Sequence, residues 1–225
     1  MIRSGHTPSL KMNKKTDTCQ DFFAKIYYAA VPEDVSVKPV SDRWRQAEID
    51  KITNIAHRAE KYCAWRLLEY ALQDLFKKDS SALGVCRRDY GGYGGEGVEL
   101  SVSHTKGLVA VGVSRNAIGV DAERLGGGRV EKLAERFLTE REFSRYRDTD
   151  ESRREIEFLR LWCAKEAVFK SQKKEIFVPS ALDGTAHSVR IEEIEVASGR
   201  YVLAVAGEGC ERSAFSFVSS EKYLY

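Results

Sequence analysis

The sequence lacks the long apolar runs and paired cysteines that would place it among membrane or disulfide-bonded proteins. Its apolar runs, such as LVAVGV at 108–113, fall far short of the ~20 residues that a membrane helix needs. The N-terminal residues 1–19 include basic side chains but no apolar segment, so they predict no secretory signal. The five cysteines are scattered and form no CxxC pair, which favours reduced thiols over a zinc site or disulfide scaffold. We therefore expect a cytoplasmic protein that does not enter a membrane.

A large excess of one charge is also lacking. The 36 Lys and Arg residues balance 34 Asp and Glu residues, and a net charge of +2 is too small to attract nucleic acid by bulk electrostatics. The content of 43% hydrophobic and 31% charged residues is ordinary for a soluble globular chain. A length of 225 residues suits one large domain or two small halves.

Helical and strand-like patterns alternate along the chain after a polar stretch at 1–20. Helical periodicity predicts helices over 43–77, from 130, from Thr139 with its capping box, and over 152–172. Alternating or β-branched segments predict strands at 22–31, 98–103, 108–114, 118–121, 188–196, 200–206 and 212–218. The three strands between 98 and 121 are expected to form a compact β-meander. The fold class predicted is α+β, mainly antiparallel.

Two short motifs match known sites only formally. Gly92-x-Gly94-x-x-Gly97 resembles a dinucleotide fingerprint, but a strand follows where that site requires a helix, so the segment is interpreted as a flexible loop. Ser103 and His104 are adjacent on a strand and point to opposite faces, which excludes a nucleophile–base pair in a regular strand. His104 at the strand end is either a binding residue or a structural one.

Asp121 and Glu123 are the strongest local signal. They lie two residues apart on a strand, so both carboxylates leave the same face. Such a pair repels unless a cation lies between the carboxylates, and Mg²⁺ favours oxygen ligands of this kind. The alternative is a surface strand end whose acids pair with a neighbouring base such as Arg124.

A helix face at 161–170 could complete such a site. Trp162, Glu166 and Lys170 recur at four-residue steps and share one face, and apolar residues flank them. A partly buried Glu–Lys pair on a core helix indicates a site, whereas a solvent-exposed pair would be ordinary surface decoration.

Three segments together resemble the signature of the 4′-phosphopantetheinyl transferase superfamily. They are ELSVSHTKG at 99–107, IGVDAE at 118–123 and WCAKEAVFK at 162–170, with mild departures at Val102 and Thr105. The chain length and the Asp-x-Glu form resemble the larger, pseudo-twofold monomeric type (the surfactin-synthetase-activating type). The half-sized trimeric holo-acyl-carrier-protein synthases fit less well.

The resemblance implies a fold of two similar halves, each a small antiparallel sheet packed on a long helix. On that basis residues 1–45 are an N-terminal segment with one strand, 46–117 the N-terminal half and 118–225 the C-terminal half. Coenzyme A is expected in the cleft between the halves.

The resemblance also implies roles for individual residues. Asp121, Glu123 and Glu166 would bind Mg²⁺, with Glu166 also accepting a serine proton. The remaining contacts would be made to coenzyme A: His104 and Lys170 to phosphates, Arg58 and Arg88 near the 3′-phosphate, and Ser103 beside them. Lys170 would in addition stabilise or protonate the departing phosphate oxygen. After Arg88 this chain keeps the family's first glycine but lacks the Lys-Pro that follows it, so the resemblance does not imply the cationic contact of that lysine to coenzyme A.

The implied reaction transfers 4′-phosphopantetheine from coenzyme A to a serine of an apo acyl- or peptidyl-carrier protein, with Mg²⁺ as cofactor. The segment 124–141 mixes bases with apolar residues, which suits docking of an acidic carrier helix; an ordinary amphipathic helix is the alternative. We expect a monomer with no nucleic-acid partner. The competing hypotheses are a coenzyme A-binding module without transferase activity and a Mg²⁺-dependent phosphoanhydride hydrolase.

Overall fold

The computed structural model describes residues 24–35, 39–128 and 130–225, which form two sheets with packed helices. The helices are α1 (Arg43–Asp50), α2 (Ile55–Phe76), α3 (Glu131–Phe137), α4 (Glu140–Arg147), α5 (Arg154–Ser171) and α6 (Ser220–Leu224). The strands are β1 (Ala24–Ala30), β2 (Cys86–Arg87), β3 (Tyr93–Gly95), β4 (Val98–Thr105), β5 (Leu108–Ser114), β6 (Gly119–Arg124), β7 (Val189–Val196), β8 (Gly199–Ala206) and β9 (Ala214–Phe217). The predicted α+β class is confirmed.

Each sheet packs against a long helix. The first sheet has the order β2-β3-β4-β5-β1-β9, and α2 packs on β5, β4 and β1 through a core that includes Leu67, Leu68 and Val111. The second sheet has the order β6-β8-β7 and packs on α5. Residues of both sheets, Ile26 and Leu203 among them, share a third apolar cluster. The two sheets are thereby fixed relative to each other.

The predicted helix over 43–77 is two helices. Asp42 caps α1, and Asn54 caps α2 by accepting a hydrogen bond from the backbone N–H of His57. The side chain of Asn54 offers the backbone a cap in place of a further helical turn, which explains the break.

The glycine-rich segment at 91–97 is not the free loop that its composition predicted. Tyr93–Gly95 forms β3, which pairs with β4 on one side and β2 on the other. A Cβ on Gly95 would lie 2.2 Å from the carbonyl oxygen of Leu83, so this glycine permits a close backbone approach.

The predicted β-meander is wrong, because its third strand belongs to the other sheet. β6 pairs with β8, while Ser101 and Ser103 of β4 accept the backbone N–H groups of Val120 and Ala122. Where β4 crosses β6, serine hydroxyls therefore accept the hydrogen bonds that backbone carbonyl groups accept between paired strands. The last strand also departs from a simple succession of halves, since β9 lies parallel to β1 in the first sheet.

The remaining expectations concern the capping box, the cysteines, membrane-spanning helices and the division of the chain into halves. The capping box at Thr139 is present and begins α4. The four cysteines within the described ranges are free thiols. No helix in the described part of the chain has the length and apolar character needed to cross a bilayer. The division at residues 117 and 118 stays a prediction, and the N-terminal stretch at 1–20, with Phe22 and Phe23, lies outside the described residues.

Candidate active site

The Asp121 and Glu123 carboxylates lie side by side on β6, each in contact with a hydroxyl of β4. Ser103 donates a hydrogen bond to Asp121 Oδ1 at 3.0 Å, and Thr105 donates to Glu123 Oε2 at 3.2 Å. Because residues two apart on a strand share a face, the two acids of β6 meet the two hydroxyls of β4 in register. Asp121 is only 6% exposed. The predicted common face of the two acids is therefore observed.

Helix α5 brings Glu166 and Lys170 to the same place. The Lys170 ammonium lies 2.7 Å from Asp121 Oδ1 and donates to the carbonyl oxygen of Val120 at 3.1 Å. Close packing of α5 on β6 makes this possible, because a Cβ on Gly119 would lie 1.8 Å from the carbonyl oxygen of Ala167. The face predicted from the helical spacing therefore points at the two acids.

Burial and mutual repulsion raise the pKa of two of the three acids. Burial, followed by the charges of Asp121 and, less strongly, Glu123, raises the pKa of Glu166 to about 7, with Lys170 opposing. Burial and then Asp121 also raise the pKa of Glu123. For Lys170, burial is the largest cause and lowers the pKa, but the charge and hydrogen bond of Asp121 together with the charge of Glu166 outweigh it, and the net direction is upward. Lys170 is therefore a cation that partly compensates an acidic site.

The donor set fits a hard divalent cation. Asp121 Oδ2 is buried and has no hydrogen-bond partner, an arrangement that costs free energy unless a cation or water is bound there. Three carboxylates with one ammonium, that of Lys170, beside them are an oxygen-rich setting of the kind that Mg²⁺ prefers. Within the described part of the chain, however, the three ligand-type side chains whose donor atoms lie within 4.8 Å of one another are His57, Glu60 and His104.

His104 points away from the carboxylates, from the opposite face of β4 toward α2. Its Nδ1 lies 3.4 Å from Glu60 Oε2, and its ring meets that of His57 edge-on at 5.3 Å between centroids. Burial, followed by the charges of Lys61 and His57, lowers the pKa of His104 to about 3. The imidazole is therefore neutral near pH 7.

Basic side chains surround His104. The pKa of Lys61 on α2 is lowered by burial and then by three further cations, Arg45, Lys170 and Arg87. Mutual repulsion of this kind is relieved when an anion such as a phosphate binds among the bases. The sequence patterns had pointed to Lys170 alone among these four bases.

The other predicted coenzyme A contacts lie nearby but in different settings. Arg58 is on α2, next to His57 and partly exposed. Arg88 lies against β3, its guanidinium 3.2 Å from where a Cβ on Gly94 would be. The Ser103 hydroxyl is buried between Asp121 and the N–H of Ala122. Ser103 therefore orients an acid of the site.

A cleft of about 210 Å³ opens between the first sheet and α5, next to Lys170. Its lining includes Tyr90, Gly92, Ile118, Phe169, Lys173 and Lys174. The Lys173 ammonium lies 5.8 Å from the centre of the Tyr90 ring and 2.9 Å from Glu99. Two lysines of the C-terminal part of the chain thus line the cleft beside the glycine-rich segment that lacks Lys-Pro.

A second, larger groove of about 450 Å³ begins at Glu123 on the other side of the carboxylates. Trp162, whose side chain hydrogen-bonds Glu123, stands in it together with Phe137 and Leu133. The side chain of Leu133 is 44% exposed, and that of Val178, which is also apolar, is 50% exposed. The groove therefore joins the acidic site to an exposed apolar surface.

A buried ion pair that no sequence pattern indicated supports α5. Lys165 and Glu142 are fully buried, with Nζ 2.5 Å from Oε2. Lys165 also donates to the carbonyl oxygens of Pro179 and Leu182. This lysine ties α4 and the 179–182 turn to the helix that presents Glu166.

Comparison with known proteins agrees with this site. Residues 117–208 match the family model described as the 4′-phosphopantetheinyl transferase superfamily, and this range contains Asp121, Glu123, Glu166 and Lys170. A search of curated proteins found no match. This part of the chain is therefore similar to the superfamily, and the similarity supports a phosphopantetheine-transferring role in general.

Proposed function

We propose that the protein transfers 4′-phosphopantetheine from coenzyme A to a serine of an apo acyl- or peptidyl-carrier protein in a Mg²⁺-dependent reaction. The observation that carries the proposal is the buried group of Asp121, Glu123 and Glu166, with Lys170 beside it, between a cleft and an apolar groove. The superfamily match over 117–208 supports the same reaction class.

The reaction joins the serine oxygen to the phosphorus that bears pantetheine and breaks that phosphorus's bond to the bridging oxygen. Adenosine 3′,5′-bisphosphate leaves. Glu166, whose pKa is raised to about 7, is suited to accept the serine proton near neutral pH. Lys170 stabilises the departing phosphate oxygen as a cation. Asp121, Glu123 and Glu166 would hold the Mg²⁺, which would supply positive charge to neutralise the pyrophosphate.

The basic group around His104 suits the coenzyme A phosphates. Neutral His104 can donate one ring N–H, and Lys61 and Arg87 add charge within electrostatic reach. Arg58 and Arg88 remain candidates for the 3′-phosphate. Lys173 and Lys174 line the cleft and offer cationic charge that the missing Lys-Pro does not supply.

The carrier protein is expected on the groove side. Arg124 and Leu133 line the groove, and α3 beside it exposes the bases Lys132 and Arg136 together with the acids Glu131 and Glu135. Apolar anchors next to basic side chains suit an acidic helix, which is the surface that we expect a carrier to present.

Intact-mass measurement of an apo carrier protein tests the proposal. With coenzyme A and Mg²⁺, the carrier should gain one phosphopantetheine unit. The variant Glu166→Gln should lose at least ~10²-fold in rate, since proton transfer contributes that much. The exposed Glu175→Gln variant is the matched control and should keep the wild-type rate.

The outcomes separate the competing functions. Breakdown of coenzyme A with no carrier present would indicate a hydrolase. Binding of coenzyme A without any change in carrier mass, over several apo carriers, would indicate a binding module. Either result would contradict the proposed transfer.

A further inference from the structure

His57, Glu60 and His104 converge at the contact between α2 and β4, away from the acids of β6. His57 and Glu60 are three residues apart in the first turns of α2 and therefore share a face. His104 reaches that face from β4, on the side of the strand opposite Ser103. One donor atom from each residue lies within 4.8 Å of the other two.

The spacing of these atoms is close to that of a metal coordination sphere. Glu60 Oε2 lies 3.4 Å from His104 Nδ1 and 3.7 Å from His57 Nδ1. A tetrahedral ion with bonds of about 2.0–2.2 Å separates its ligand atoms by roughly 3.3–3.5 Å. His104 Nδ1 is buried and has no hydrogen-bond partner, although it is aimed at this gap. The 3.7 Å separation that involves His57 is slightly longer than this range, and all three donor atoms lie within 4.8 Å of one another.

The chemistry of the donors selects the kind of metal. Two imidazoles and one carboxylate suit borderline ions such as Zn²⁺, Co²⁺ or Ni²⁺, whereas Mg²⁺ and Ca²⁺ prefer oxygen alone. His104 is neutral near pH 7 and so needs no deprotonation. The nearby cations Lys61 and Arg45 disfavour an ion held by charge alone, and the nitrogen bonds must compensate. The His57 side chain is 46% exposed, which leaves an open path for the ion.

We propose that His57, Glu60 and His104 form a binding site for one borderline transition-metal ion, separate from the carboxylate site on β6 and α5. The remaining coordination positions face the opening beside His57.

Titration with Co²⁺ in excess Mg²⁺, followed by visible absorption, tests the site in the full chain. The wild type should bind one Co²⁺ with ligand-field bands of a nitrogen-containing site. His57→Asn and Glu60→Gln should each weaken binding by roughly tenfold or more, since even loss of an outer-sphere partner costs that much. His187→Asn removes an exposed histidine elsewhere and should change nothing.

A Glu166→Gln variant separates this site from the carboxylates and should keep its Co²⁺ affinity. The proposal is overturned if the wild type shows no such bands, if His57→Asn and Glu60→Gln bind as the wild type does, or if Glu166→Gln loses the ion. Because His57 is exposed at the start of α2, its variant should keep the wild-type thermal melt, so lost binding is not lost folding.

One consequence rests on the proposed function. A metal on His104 removes that side chain from the coenzyme A phosphates, so Zn²⁺ should inhibit transfer competitively with coenzyme A. His57→Asn should keep the basal transfer rate, and the Zn²⁺ concentration that inhibits it should be higher by about tenfold or more. Equal inhibition of both proteins would overturn the inhibitory role. Absence of transfer by the wild type would count against the proposed function instead, and the Co²⁺ titration would still decide the metal site.

Discussion

Glu166 is the residue on which the proposed chemistry depends. It is partly buried on α5, and burial, followed by the charge of Asp121, raises its pKa to about 7. A metal ligand must be a carboxylate, but a proton acceptor needs affinity for protons near the working pH. One side chain with a pKa near neutrality can therefore serve in either capacity, depending on what is bound beside it.

The raised pKa gives the metal-free protein a definite pH dependence. Because the folded state binds the Glu166 proton more tightly than the unfolded chain, the stabilising effect is present below about pH 4.5 and is lost as pH rises through about 7. The contribution of Glu166 to the free energy of unfolding should therefore decline over this interval, whereas His104, whose pKa is lowered to about 3, contributes a rise with pH. Urea denaturation in a chelator measures both proteins, and Glu166→Gln should show a slope with pH that is more positive than that of the wild type. An unchanged slope in the variant would contradict the assignment.

Metal binding should show the opposite trend with pH. Since Mg²⁺ requires the ionised carboxylates, its affinity should increase as pH rises through about 7, and binding near neutrality should release protons. Calorimetric titration in two buffers of different ionisation enthalpy measures the proton release directly. If the Mg²⁺ affinity did not change between about pH 6 and 8, Glu166 would not be a ligand.

The buried Lys165–Glu142 pair predicts a large effect on stability. Lys165→Met leaves the Glu142 carboxylate buried without its cation, which should cost about 3 kcal/mol or more in free energy of unfolding. Lys78→Met, at an exposed position, should stay within ~0.5 kcal/mol of the wild type. Adding Glu142→Gln to Lys165→Met should recover part of the loss. Chemical denaturation of the four proteins distinguishes these cases.

At the scale of elements, the contact of α5 with β6 sets the geometry of the site. Gly119 begins β6 and lets the backbone of α5 approach, so that Lys170 reaches both Asp121 and the carbonyl oxygen of Val120. Ser101 and Ser103 hold the other edge of β6 against β4. The acids are thus fixed between a helix and two strands.

This packing predicts a difference between two glycine substitutions. A Cβ on Gly119 would overlap the carbonyl oxygen of Ala167, so Gly119→Ala must push α5 away from β6. We expect a loss of about 1–3 kcal/mol in free energy of unfolding and weaker Mg²⁺ binding. At Gly127 the nearest atom is 3.9 Å away, and Gly127→Ala should have the wild-type stability and Mg²⁺ affinity. Equal behaviour of the two variants would contradict the proposed role of the contact.

Local patterns predicted the parts of the site that lie within one element. The two-residue step from Asp121 to Glu123 and the four-residue step from Glu166 to Lys170 fix faces of a strand and a helix, and both faces are observed to meet. The gathering of Glu60, Lys61 and His104 depends on how α2 packs on β4, which no local pattern encodes. Likewise, the apolar alternation of β6 predicts a buried strand but not the sheet that it joins.

Polar residues in the interior were the hardest to predict. Lys165 looks like a solvent-exposed helical lysine, and only the approach of Glu142 and the turn at 179–182 explains its burial. The break between α1 and α2 was concealed because apolar periodicity continues through residues 51–54 while Asn54 caps a new helix. In both cases the ion-pair or hydrogen-bond partner of one polar side chain determines the local structure, and the apolar periodicity does not show it.

At the scale of the whole molecule, the acidic site lies between two kinds of surface. On one side are the cleft with Lys173 and Lys174 and the bases around His104. On the other side are the apolar groove and α3, which exposes Lys132 and Arg136 together with Glu131 and Glu135. The basic region suits a phosphate-rich molecule, and the apolar groove suits a protein partner.

The central claim is most directly tested by measuring both products in one reaction. The protein, coenzyme A, Mg²⁺ and an apo carrier are combined, and modified carrier and adenosine 3′,5′-bisphosphate are quantified together by mass spectrometry. We predict equal molar amounts of the two products, dependence on Mg²⁺, and loss of both with Glu166→Gln. Nucleotide release without modified carrier, or a full yield from Glu166→Gln, would contradict the account.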